Sequence, residues 1–421
     1  MPPSWKIECQ CPQCGAPVLL EETDHLFTCT HCRVRLYIFG REPLLYSLPA
    51  RMGRGKEILY APYWWFRGAV FSCDPSGIRH RVMDVSLPAF RHKSFPLSVG
   101  IRTQTQRLHF ITPETNGSFL KTGISRDEGG LRMWRQIETL GPSGPNHDSS
   151  FSVFIGEGPS LLYSPFFVEK ELLFDGVLGK SLGRLDPPLD PGEAGDLFPP
   201  GEAWERGFRF LPVLCPDCGN DLSGEKGSVI LFCRGCNSAM QPSSGGFRNV
   251  PVGRIPGTGE GVLSLPFWKM KIRSASLGLL SQADLVKKAN LPGPFRKSWI
   301  EQPCTLWSPA FRISPALFLR LTRQMMLAPS SEEIDPGLPQ SPVYPVTLRS
   351  EQAAEGVRVH IVNMTVADKV ELISKLAGVP LDPEEETLVY VPFLEKGGDL
   401  IHYRLNFSIP KAALALQTPW G

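Results

Sequence analysis

Apolar and polar positions along this chain fall into short runs broken by proline and glycine, a pattern of many strands and few helices. YAPYWWFRGAVFSC (60–73) is a β-rich run, DPSG (74–77) supplies turn chemistry, and IRHRVMDVSL (78–87) returns, so a hairpin is expected. LVYVPFLEK (388–396), GGD (397–399) and LIHYRLNFSI (400–409) repeat the pattern near the C-terminus. These runs carry a proline beside an aromatic. Proline cannot donate a ladder hydrogen bond, so the strands are expected to be edges or to bulge there.

Three segments read as helices. SRDEGGLRMWRQIETLG (125–141) opens on a cap-like serine. ISPALFLRLTRQMML (313–327) has dense apolar positions, with Pro315 suited to a first turn. VADKVELISKLA (366–377) follows a cap at Thr365–Asp368 and closes at Gly378. The fold class expected is α+β and strand-dominated.

The chain has 421 residues, more than one core usually serves, so two or more domains are expected. With 42% hydrophobic and 20% charged residues it is globular in composition rather than disordered. MPPSWKIECQ lacks the basic-then-apolar layout of a secretory signal, and no apolar run is long enough to span a bilayer. The compartment expected is the cytoplasm.

The net charge of +2 hides strong polarity. Residues 31–110 carry a net +9 and residues 111–225 a net −9; residues 226–330 carry +11 and residues 331–421 carry −6.

Four of the cysteine spacings stand out. Cys11 and Cys14 are followed after fourteen residues by Cys29 and Cys32; Cys215 and Cys218 are followed, again after fourteen, by Cys233 and Cys236. A CxxC turn points two thiolates at one ion, and two such turns complete the tetrahedral four-sulfur shell that zinc accepts. Between the knuckles, APVLLEETDHLFT and DLSGEKGSVILF contain runs suited to a returning strand. Each constellation resembles the zinc-ribbon superfamily over about 25–30 residues. The resemblance implies two structural Zn2+ sites, closed to substrate. Cys9, Cys73 and Cys304 have no matching partners and read as small apolar side chains. His25 and His31 stand near the first site, but four well-spaced cysteines leave them no necessary role as ligands.

The cysteines are not all that recurs. APYW (61–64) meets LPFW (265–268), PAFR (88–91) meets PAFR (309–312), and LLYSPF (161–166) meets LVYVPF (388–393). The offsets grow from 204 through 221 to 227, as insertions in a second copy require. The chain is therefore expected to be a tandem duplication of a unit of about 200 residues. The first copy spans 1–184, with a ribbon at about 5–40 and a β-rich domain at 41–184. A Pro/Gly/acidic linker follows at 185–203. The second copy spans 204–421, with a ribbon at about 209–242 and a β-rich domain at 250–421. Surface loops are expected at 141–150 and 328–342.

No phosphate loop, nucleophile elbow, zinc-protease helix or dinucleotide fingerprint is present. GTGEG (257–261) lacks the lysine of a phosphate cradle, and the acidic run Asp382–Glu386 reads as solvated. Trp64, Trp65, Phe66 and Arg67 have the chemistry of a stacking platform for bases or a peptide, but burial of a hairpin is the simpler reading. ALFLRLTRQMML (316–327) could lie on a membrane surface; a core helix with a solvated face is preferred. The function expected is a non-enzymatic adaptor or assembly subunit that binds a protein partner. The alternative is nucleic-acid binding through the basic stretches 31–110 and 226–330. A third reading, electron transfer by iron in the four-cysteine sites, rests on the rubredoxin-like CPxCG knuckles, but CTHCR and CRGCN lack the trailing glycine.

Overall fold

In a computed structural model, the described residues are 6–414 without 22, 41–42, 54, 101–106, 113–114, 141–149, 191, 198–207, 258, 290–294, 327–332, 366–368, 380 and 406. The expected loop at 141–150 lies outside them but for Ser150. So do parts of the linker at 185–203 and of the loop at 328–342. The fold is α+β and dominated by strands. No described helix is long and apolar enough to cross a membrane.

Two compact units divide the chain. The first comprises Met1–Arg67, Asp84–Pro145 and Glu157–Pro212; the second comprises Gly68–Met83, Asn146–Gly156 and Val213–Gly421.

The first unit is organised around the strand Leu59–Asp74 up to Arg67. Its residues 59–65 pair antiparallel with Ser160–Glu169, Pro62 facing Tyr163 and Tyr60 facing Pro165. Leu45–Ser47 lies parallel on the far side of Ser160–Glu169. That strand turns through Lys170 and Glu171, at φ 51° and 65°, into Leu172–Asp175. Both faces of 59–66 are buried, so the run reads as continuously apolar instead of alternating. The core gathers Tyr63, Trp65, Phe90, Phe95, Leu162 and Phe166.

In the second unit the corresponding strand is Val262–Ile272, paired antiparallel with Glu385–Lys396, Pro266 facing Tyr390 and Ser264 facing Pro392. Val252–Arg254 runs parallel on the far side. Glu385–Lys396 turns through Gly397 and Gly398, both at positive φ, into Asp399–His402. Helices Gln282–Ala289 and Pro315–Met326 pack on the strand Cys304–Pro309 and Ser350–Glu355 on Val262–Ile272, while Val357–Met364 packs on these helices and Lys369–Gly378 on Val357–Met364. Here too belongs the distal part of the first hairpin. Gly68–Cys73 pairs with Phe151–Gly156, and Ala69, Phe71, Cys73, Val153 and Ile155 join the core that holds Phe318 and Val357. Phe71 lies 6.0 Å from Phe318. Gly68 is required there, because a Cβ would sit 2.5 Å from the Ile155 carbonyl oxygen.

The internal geometry of the units matches bond for bond at the recurring motifs. Trp64 Nε1 donates to the Ile124 carbonyl and Trp268 Nε1 to the Leu348 carbonyl, each at 2.9 Å. The Ala89 amide donates to Pro62 O at 2.9 Å and the Ala310 amide to Pro266 O at 3.0 Å. Asp175 Oδ1 accepts the amides of Val177 and Leu178; His402 Nδ1 accepts those of Arg404 and Leu405.

These bonds also correct the expectation for the prolines. The strands that carry them are central, not edges. Each proline lies where a neighbouring strand ends, at Pro88, Asp175, Pro309 or His402. At Pro62 and Pro266 the ladder asks only for the carbonyl, so no donor is missed.

The three expected helices form. Ser125 Oγ accepts the Glu128 amide at the start of Arg126–Leu140. Pro315 opens Pro315–Met326, whose Phe318, Leu321 and Met325 are buried while Arg323 is exposed. The cap expected for Lys369–Gly378 includes Val366, Ala367 and Asp368, which lie outside the described residues. Thr365 closes the preceding helix, its hydroxyl donating to Ile361 O at 2.8 Å.

Candidate metal centres

Each four-cysteine site is assembled from two tight turns. In the first, the Gly15 amide donates to Cys11 O and the Cys11 amide to Ala16 O, both at 2.8 Å, with Gly15 at φ 71°. The second knuckle closes likewise, the Arg33 amide donating to Cys29 O at 2.9 Å with Arg33 at φ 63°. In the second unit Gly219, at φ 75°, and Asn237, at φ 57°, hold the equivalent positions. A left-handed residue after each CxxC turns the chain away and leaves both sulfurs facing inward. Glycine takes that conformation without strain, and asparagine is among the other residues that tolerate it.

All eight cysteines singled out by spacing converge on their expected partners. Cys11, Cys14, Cys29 and Cys32 form one cluster and Cys215, Cys218, Cys233 and Cys236 the other, the sulfurs of each lying within 4.8 Å of one another. Cys11–Cys32 is 3.8 Å and Cys14–Cys29 is 3.7 Å; Cys215–Cys236 is 3.6 Å and Cys218–Cys233 is 3.3 Å. A tetrahedron with metal–sulfur bonds of about 2.3 Å has edges of about 3.8 Å. The cages therefore fit a four-coordinate ion. The sulfurs are not joined as disulfides.

The electrostatics favour thiolate at one corner of each cage. Amides of Cys32 and His31 point at the Cys29 sulfur and draw its thiol down to about 6. Burial acts upward on Cys233, but the Cys236 amide and the three neighbouring sulfurs outweigh it and hold the thiol at about 7. In each cage one cysteine of each knuckle is buried and the other is exposed. Four sulfurs fill a tetrahedral shell, leaving no position for water or substrate, so the chemistry available is structural.

The histidines near the first site do not take part as ligands. The His31 backbone amide donates to the Cys29 sulfur at 3.4 Å, and His25 stacks on Tyr37 with ring centroids 5.8 Å apart. Cys73 and Cys304 are wholly buried, and burial pushes both thiols up to about 12. They are apolar core residues, as their lack of partners suggests. Cys9 is half-buried, in a strand facing Val18.

The aromatic platform is closed. Trp64, Trp65 and Phe66 are each 4% exposed. Trp65 Nε1 donates to Asp84 Oδ1 at 2.6 Å, and Arg67 lies 4.1 Å over the Trp65 ring while pairing with Glu157. Bases cannot reach these rings.

Asp382, Glu384 and Glu385 of the acidic run are exposed, as expected, but the run is not a loop throughout. Glu385 begins a strand and pairs with Lys271. Asp382 and Glu386 border a cavity of about 550 Å³ together with Glu351, Glu355 and Arg358; its lining holds no thiol, hydroxyl or imidazole.

An exposed apolar turn around Phe295 and Ile300 was not foreseen from the sequence. Its signal was a pair of cations flanked by large apolar residues in FRKSWI (295–300), inside a segment that has no counterpart in the first hairpin.

No protein-family model and no solved structure matches the chain.

Proposed function

We propose that this protein is a non-enzymatic, zinc-stabilised adaptor or assembly subunit built from a duplicated unit. The matched registers, the paired tryptophan and proline-carbonyl bonds and the two sulfur cages support the duplication. Zinc suits both cages, because it accepts four thiolates in a tetrahedron and needs no redox partner.

One observation weighs most for a protein partner over nucleic acid. Within each unit the basic stretch is matched to the acidic stretch that follows it. Lys56 pairs with Glu169, Arg67 with Glu157, Arg91 with Glu128 and Lys93 with Asp186. In the second unit Arg248 pairs with Glu351, Arg254 with Asp335 and Lys271 with Glu385. Cations held this way release fewer counterions on meeting a phosphate backbone, so the electrostatic drive to bind nucleic acid is weakened.

The test is purification from the native cell at low salt, before and after nuclease. A stoichiometric protein that stays bound through nuclease and moderate salt supports the adaptor reading. Material absorbing at 260 nm that disperses on nuclease or salt would overturn it.

A further inference from the structure

The two recurring strand pairs differ in how one strand connects to the next. In the first hairpin, Leu59–Asp74 turns straight into Gly77–Pro88. In the second unit, residues 273–303 intervene between Val262–Ile272 and Cys304–Pro309. The longer segment carries Arg273, Lys287, Lys288, Arg296 and Lys297 against Asp284 and Glu301, a net +3.

Its 3₁₀ turn, Lys297–Ile300, buries none of its residues. Phe295 is 59% exposed, Ile300 60% and Leu280 52%. The Gln282 amide donates to Gln302 O at 2.8 Å, which ties the two ends of the segment together and brings the chain near Leu280 back beside that near Ile300. Phe295 and Trp299 stand edge to face at 5.9 Å, and the Arg296 guanidinium lies 5.8 Å from the Trp299 ring. Large apolar tips that serve no core, flanking two cations on one turn, are unusual on a protein surface.

We infer that the turn 295–300, with Leu280, docks on an anionic lipid surface. Phe295, Trp299 and Ile300 enter the headgroup layer, where aromatic rings are favoured, and Arg296 and Lys297 sit at the level of the phosphates. Two adjacent cations flanked by large apolar residues fit that layered environment, in which both kinds are satisfied within a few ångströms of depth. The attraction between cationic turn and anionic headgroups is screened by salt, so binding weakens as ionic strength rises.

The experiment is flotation of the intact protein with vesicles of phosphatidylcholine alone and with phosphatidylserine as about a third of the lipid. The protein should float with the anionic vesicles and not with the neutral ones. Phe295→Ser with Ile300→Ser, and separately Arg296→Glu with Lys297→Glu, should each lower the bound fraction at least about tenfold. Both variants should keep the parent's metal content and melting temperature, because the turn is exposed. Absence of flotation with anionic vesicles overturns the inference, as does binding unchanged in both variants. A soluble protein captured by a photo-crosslinker at position 295, with no vesicle binding, overturns it in favour of a protein contact.

Discussion

The turn that follows Asp175 and the turn that follows His402 are the same structure made from different chemistry. In the first unit Asp175 Oδ1 accepts two successive amides; in the second His402 Nδ1 accepts two. Both residues face the phenylalanine across the ladder, Asp175 opposite Phe166 and His402 opposite Phe393. The shared requirement is therefore an acceptor at that point, not a carboxylate or an imidazole. Features that satisfy the backbone recur between the units, while the side chains that supply them differ, as do the connectors between strands.

The comparison can be broken most forcefully at the sulfur cages. Cys11→Ser and Cys215→Ser should each remove one bound metal and lose much of the roughly 10–16 kcal/mol that a structural zinc site supplies. Metal analysis and thermal melting check this. If one cage were dispensable, the two sites would not be equivalent staples.

Next come the buried tryptophans. Trp64→Phe and Trp268→Phe each remove the indole donor to a carbonyl, at Ile124 or Leu348, and should cost about 1–3 kcal/mol apiece in chemical denaturation. A large cost at one position and none at the other would contradict equivalent roles.

Gly68→Ala places a methyl 2.5 Å from Ile155 O, so the two strands must separate locally, at about 1–3 kcal/mol. Urea midpoints measure it. Gly129→Ala is a useful contrast, since its Cβ would meet the Trp64 ring at 2.7 Å instead of backbone.

The smallest effect separates Asp175 from His402. Burial, with help from Arg404, holds the His402 imidazole down to about 4. A base depressed in the fold binds fewer protons there than in the unfolded chain. Its stabilising contribution is complete above its unfolded pKa of about 6.5 and is lost as pH falls toward 4. His402→Asn keeps an acceptor for the two amides and should flatten that part of the pH profile. His360, wholly buried and held down to about 3, contributes a slope of the same sign that remains in the variant.

The four-sulfur cages were legible in the sequence because ligand spacing is a local constraint: two residues between sulfurs fix a turn, and the two knuckles need only a returning strand between them. Pro315 and the apolar period likewise announced the helix Pro315–Met326. The central position of Pro62 and Pro266 was not legible. Whether a proline is tolerated depends on where the neighbouring strand ends, and that neighbour lies far along the chain. The placement of Phe71 and Ile155 among the core residues of the second unit was hidden for the same reason, since an apolar run announces burial without naming what covers it. The exposed acids of Asp382–Glu386 are solvated as the run suggests, but the start of a strand at Glu385 was hidden in it.

Metal content of the purified protein, measured against protein concentration, tests the central claim most directly. Two zinc ions per chain with no iron, and collapse of the cooperative melt when a chelator removes them, is the result predicted from the two cages. A folded protein with no bound metal, or one coloured by iron, would contradict it.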